Sequence, residues 1–106
     1  MPETLQELLS KLKNYLSELY GERLDRTILF GSQARGEATE DSDIDVLIVL
    51  KDMVDVGDEI QKTGHFVSDL CLEYDQVIGR LFMDADKFQN TNSPLLLNIR
   101  KEGIPF

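Results

Sequence analysis

Cysteine, histidine and basic residues are all scarce in this chain, and each shortage removes a class of function. The single cysteine, Cys71, excludes an internal disulfide and any zinc site built from several thiolates. It reads as a small core residue, and a reducing cytoplasm fits such cysteine usage. The lone histidine, His65, has no second histidine or cysteine near it in sequence and reads as a surface or helix-packing residue. Lys and Arg number 11 against 20 Asp and Glu, giving a formal charge of -9. That deficit argues against indiscriminate nucleic-acid binding, which needs clustered cations to displace counterions. It equally makes a bare nucleoside triphosphate an unwelcome ligand unless divalent cations intervene. No apolar run approaches the ~20 residues of a membrane span. The opening MPETLQELLSKLKNYL is amphipathic rather than an apolar block behind a basic one, so no signal peptide is expected.

What is present is one domain's worth of chain, 106 residues with 42% apolar content. Leu5, Leu8, Leu9, Leu12, Leu16 and Leu19 form one helical stripe. Thr4 and Glu7 have capping-box spacing, and Gly21 stands where a left-handed cap is wanted. Thr27 to Phe30 predicts a short strand stopped by Gly31, followed by about one helical turn, Ser32 to Arg35. Glu37 to Ser42 reads as a loop, and Ile44 to Leu50 as a central strand covered on both faces. A helix is expected over 54–72, on Val56, Ile60, Val67, Leu70 and Cys71, then a third strand over 74–83. Ser93-Pro94 caps a last helix with Leu95, Leu96 and Ile99 on its core face, ended by Gly103 and Pro105. The order predicts a small α/β domain on a three-stranded sheet.

The chemistry concentrates in FGSQARGEATEDSDIDVLIVL. Backbone amides of a Gly31-Ser32 turn can cradle phosphate oxygens. Ten residues further, Asp43 and Asp45 flank one strand residue and so point the same way. Two like charges on one face repel unless a cation or proton lies between them, and divalent metal is the economical answer. A third carboxylate normally completes such a site. Asp75, in LEYDQVI, is the best-placed candidate on the expected third strand, and Glu73 shares its parity. Arg35 either pairs with a phosphate or a partner carboxylate, or braces the turn through Glu37, Asp41 or the backbone. Ser42 is expected to shape the loop by local hydrogen bonds.

The string G-S-x-A-R-G followed by D-S-D-x-D and a hydrophobic run resembles the nucleotidyltransferase superfamily typified by DNA polymerase β and kanamycin nucleotidyltransferase. It is most similar to the minimal members, the MNT domains, and the resemblance spans nearly the whole chain. It implies an αβαβαβα core with a mixed sheet. It further implies that Gly31 and Ser32 contact donor phosphates, with Arg35 as a further donor-side residue. Asp43, Asp45 and Asp75 would then bind two Mg²⁺ ions, Asp75 serving the acceptor hydroxyl. ATP is the implied co-substrate, and the implied role is that of the antitoxin of a prokaryotic type VII toxin-antitoxin pair. Such an antitoxin neutralises a HEPN ribonuclease toxin by adenylylating one of its tyrosines. Two readings compete: a binding module that masks its partner without catalysis, and a small-molecule nucleotidyltransferase whose acceptor pocket a homo-oligomer would build.

Overall fold

The computed structural model describes residues 2–39 and 42–106. Helix α1, Glu3–Tyr20, buries Leu5, Leu8, Leu9, Leu12 and Leu16 as the periodicity predicts. Its start and end differ from expectation. Pro2, with φ -59°, precedes the first helical residue, and the Gln6 amide bonds to the Pro2 carbonyl at 3.0 Å. A proline needs no amide partner there, so the helix begins ahead of Thr4 and no Thr4–Glu7 capping box forms. At the other end Leu19 is 40% exposed, and Tyr20 takes the last buried position.

Strand β1 is Leu24–Phe30, helix α2 is Ser32–Arg35 and strand β2 is Ile44–Leu50. Helix α3 spans Val56–Tyr74, strand β3 Ile78–Asp84, helix α4 Ala85–Asn90, helix α5 Pro94–Glu102 and strand β4 Ile104–Pro105. The sheet has four strands in the order β3-β2-β1-β4 rather than the three expected. β1 runs antiparallel to both β2 and β4, while β2 and β3 are parallel, so the sheet is mixed. The extra strand, β4, is two residues that the sequence offers only as a helix terminus. Their pairing with Ile28 and Leu29 makes them a strand.

β2 is the strand from which the rest is arranged. Ile44, Val46, Ile48 and Leu50 pack toward α1 and α3, whereas Leu47 and Val49 join Ile28, Met83, Phe88, Leu96 and Ile99 under α4 and α5. Every β2 residue from Val46 to Leu50 is fully buried. Asp45, at the strand's open end, shares the parity of Leu47 and therefore belongs to the α5 side.

The first half of α3 departs from its apolar pattern. Val56 and Ile60 are exposed, and Glu59 and Thr63 are buried in their place. Glu59, 2% exposed, accepts a 3.0 Å hydrogen bond from the Tyr20 hydroxyl. Arg23 and Lys62 each place a nitrogen 3.6 Å from its carboxylate. Burial, and then the neighbouring Glu59 carboxylate, push the Tyr20 phenol well above its ordinary range. The Thr63 hydroxyl donates to the Glu59 carbonyl at 2.9 Å and accepts from Arg80 of β3. These polar groups therefore tie α1, α3 and β3 together. Removing one member leaves the others buried without partners. Glu59→Ala is expected to lower unfolding free energy by about 2 to 4 kcal/mol in urea titration, and Tyr20→Phe by about 1 kcal/mol. Equal stability of Glu59→Ala and wild type would refute this account.

Candidate functional site

Gly31 follows β1 with φ 77° and ψ -157°, a conformation essentially confined to glycine. A Cβ built there would lie 2.7 Å from Asp45 Oδ2. On the other side, a Cβ on Gly79 of β3 would lie 3.0 Å from Asp45 Oδ1. The Asp45 carboxylate thus rests between two bare Cα positions, Gly31 just past the end of β1 and Gly79 on β3, while its register partners are Phe30 and Gly79. Gly79 carries no sequence motif. Only the strand register reveals it.

After Gly31 the chain turns into α2, whose Ala34 and Arg35 amides bond to the Gly31 carbonyl at 3.1 and 3.2 Å. The Ser32 and Gln33 amides open this turn, where helix geometry offers them no intrahelical acceptor. Gly36, at φ 72°, reverses the chain. The return loop is braced as expected of Ser42: its hydroxyl accepts from the Thr39 amide at 2.9 Å, and its own amide bonds to the Thr39 carbonyl at 3.1 Å. Arg35 adopts the bracing geometry, with Nε donating to Glu37 at 3.2 Å and Nη1 lying 3.8 Å from Glu102 of α5. Its other suggested partner, Asp41, lies outside the described residues.

Asp43 is exposed and Asp45 half-buried at the start of β2. Burial, and then the charge of Asp43, hold the Asp45 carboxyl above its ordinary range. Two hard oxygen donors that repel each other in this way fit a divalent cation that completes its shell with water and phosphate oxygens.

The expected third carboxylate is not where the sequence reading placed it. Asp75 is on no strand: α3 continues to Tyr74, and Asp75 caps it in the left-handed conformation, φ 52° and ψ 49°, with its amide on the Cys71 carbonyl. Aspartate is one of the few side chains that tolerate this conformation. Glu73, the alternative, is helical too and accepts a hydrogen bond from Lys11 of α1. β3 begins at Ile78, and on the face of Asp45 it presents Gly79 and Leu81. Among the described residues, no three Asp, Glu, His or Cys side chains converge as a metal site. Among the described residues, the carboxylate pair therefore has no third converging carboxylate beside it. His65 is exposed and 3.5 Å from Asp69, a surface pair as expected.

Two outcomes test this geometry. Gly31→Ala is expected to cost about 1 to 3 kcal/mol of unfolding free energy, since alanine must adopt a glycine-only conformation; calorimetric unfolding measures it, and no loss would contradict the geometry. Asp45 carries the opposite sign. Below the ordinary carboxylate pKa it is neutral in both folded and unfolded states. As pH rises through that value and then through the raised folded-state value, its ionisation increasingly opposes folding. In chelator at pH 7, Asp45→Asn should therefore melt a few degrees above wild type, with the difference vanishing below the ordinary pKa. A lower melting point for the variant would count against it.

No described helix is long and apolar enough to cross a membrane. A family model described as "Nucleotidyltransferase domain" matches residues 9–103. The chain is 42% identical over 73 residues to a candidate protein adenylyltransferase of Methanocaldococcus jannaschii, covering 69% of this chain and 73% of that protein. A crystal structure of a candidate nucleotidyltransferase from Sulfolobus solfataricus superposes with a TM-score of 0.68 at 20% identity, over 97% of this chain and 81% of that one. A structure of tri-AMPylated Shewanella oneidensis HEPN toxin in complex with MNT antitoxin gives a TM-score of 0.60 at 17% identity, over 94% of this chain and 69% of that one. At these identities the two solved structures establish likeness of fold. Together with the Gly31 turn set against Asp43 and Asp45, the match over residues 9–103 means that this chain belongs to the nucleotidyltransferase domain family.

Proposed function

We propose that this domain is a Mg²⁺-dependent adenylyltransferase that moves AMP from ATP to a hydroxyl of a partner protein, a tyrosine of a HEPN-type toxin, and thereby acts as its antitoxin. The observation that carries this reading is the contact between the Gly31 turn and Asp45. It sets amides able to hold phosphate oxygens directly against carboxylates able to hold a cation.

In this reading Gly31 and Ser32 hold the donor phosphates, and Arg35 exchanges its carboxylate partners for a phosphate. Asp43 and Asp45 hold Mg²⁺, which neutralises phosphate charge and polarises the phosphorus that is attacked. The acceptor oxygen then forms its bond to the α-phosphorus as the bond to pyrophosphate breaks. A protein acceptor is supported by the relative named as a protein adenylyltransferase and by the fold neighbour complexed with an AMPylated HEPN toxin. The net charge of -9 suits a basic partner such as a ribonuclease.

One observation favours a second reading, neutralisation by masking alone. Among the described residues, no third carboxylate joins Asp43 and Asp45 to serve the acceptor as a two-ion site would require.

Incubation with the partner toxin, labelled ATP and Mg²⁺ separates the two. Label is expected on the toxin, and Asp43→Asn or Asp45→Asn should reduce its rate of transfer by at least about 100-fold. Asp75→Asn should stay within about threefold, because Asp75 serves as a helix cap in this fold. A loss with Asp75→Asn as deep as with Asp45→Asn would mean that the 75–77 connection rearranges to bring Asp75 into the site. Toxin neutralised without label by all three variants would establish masking.

A further inference from the structure

A cavity of about 190 Å³ opens beside Gly31 on the same face of the sheet as Asp45. One wall is Phe30 at the end of β1. The opposite wall is α5, which contributes Leu95, Asn98, Ile99 and Glu102. These four positions follow i, i+3, i+4, i+7 spacing and so form a single stripe of that helix. Arg35 and Glu102, their charged groups 3.8 Å apart, close the end next to the phosphate turn. The rest of the lining is the half-buried Phe30, the exposed Leu95 and the buried Ile99, and the one uncharged polar side chain is Asn98. Asn98 is exposed at the mouth of the cavity, and its side-chain amide makes no hydrogen bond to a described residue.

We propose that this cavity receives the purine of the donor nucleotide, with Asn98 reading its edge, and that it selects adenine. The proposal rests on the nucleotidyl-transfer reading and adds to it the origin of base preference. A nucleoside attached to phosphates at Gly31 and to a cation at Asp43 and Asp45 has to leave that point within the length of one sugar. A second cavity, of about 210 Å³, also borders the α2 loop, but its walls include Leu5, Leu8 and Ile44, which lie on the α1 side of the sheet. Asp45 faces the other way. The cavity lined by Gly31 is therefore the one that lies on the side of the sheet where the chemistry takes place.

The lining suits the parts of a nucleoside in order. The Glu102 carboxylate, next to the turn, is an acceptor for ribose hydroxyls once Arg35 transfers to phosphate. Phe30 and Leu95 offer flat apolar contact to a purine ring. The Asn98 amide presents a donor and an acceptor side by side, the pattern that pairs with the N6 and N7 edge of adenine and mismatches the O6 and N7 edge of guanine.

Calorimetric titration with ATP, GTP and inorganic tripolyphosphate, each with Mg²⁺, tests the proposal. Wild type should bind ATP about tenfold more tightly than GTP and more tightly than tripolyphosphate. Asn98→Ala should bring ATP down to the level of GTP. Leu95→Asp, at a side chain already 48% exposed, should weaken both nucleotides. Neither variant should alter tripolyphosphate binding, which depends on the turn and the carboxylates. An unchanged ATP-to-tripolyphosphate ratio in both variants overturns the base site while leaving the phosphate site standing. Weakened ATP in Leu95→Asp with an unaltered ATP-to-GTP ratio in Asn98→Ala overturns the role of Asn98. If wild type binds none of the three, the nucleotide reading itself falls and this inference with it.

Discussion

The contact of the Asp45 carboxylate with the bare backbone of Gly31 is the constraint on which the rest of the site depends. It is possible only because β2 is central: with β1 on one side and β3 on the other, Asp45 is flanked by Gly31 and Gly79, and neither carries a side chain. The same centrality buries the strand from Val46 to Leu50 on both faces and fixes its register, since a one-residue slip would turn Asp45 toward α1. The apolar core is therefore what aims the carboxylate. That carboxylate is in turn held in an environment that resists its ionisation, a condition a divalent cation relieves. A cation bound there would thus be coupled to folding through one side chain.

How far the sequence disclosed this depended on how local each determinant was. The Gly31 turn, the single turn of α2, the Ser42 brace and β2 were legible because each is decided by neighbours in the chain. Asp75 was not. The run LEYDQVI supports a strand by its β-branched residues, yet Leu70 and Tyr74 continue the buried stripe of α3 by one more turn. The contest is settled by the left-handed cap at Asp75, which the sequence states only as an ordinary aspartate. β4 was illegible for the opposite reason. Its two residues have no strand signature and exist as a strand only because β1 offers an edge. Glu59 and Thr63 fall outside the apolar positions from which the helix was read, and Tyr20, Arg23 and Arg80, distant in sequence, make their burial tolerable.

The two faces of the sheet divide the labour. The α1 and α3 side holds the larger core and the buried polar knot around Glu59, which bind the helices to the face of the sheet opposite the site. The α4 and α5 side has the smaller core and leaves its open end to Asp43, Asp45, Gly31 and the α5 stripe. A site exposed on the thinner side of a 106-residue domain can be approached by a large acceptor. A deep enclosure would instead need more chain than one small core supplies.

That exposure also bears on the missing third carboxylate. On the face where a third ligand from β3 would stand, that strand presents Gly79 and Leu81 and no carboxylate. Asp43 is exposed and Asp45 half-buried, and the carboxylate over Gly79 is that of Asp45 itself. Under the proposed transfer, and among the described residues, a group that deprotonates the acceptor would either move in from the 75–77 connection or arrive with the acceptor. The second course makes transfer conditional on docking, because the charge required at the reacting oxygen comes only with the molecule that bears it. A donor held by such a domain would then be protected from transfer to water until the acceptor docks.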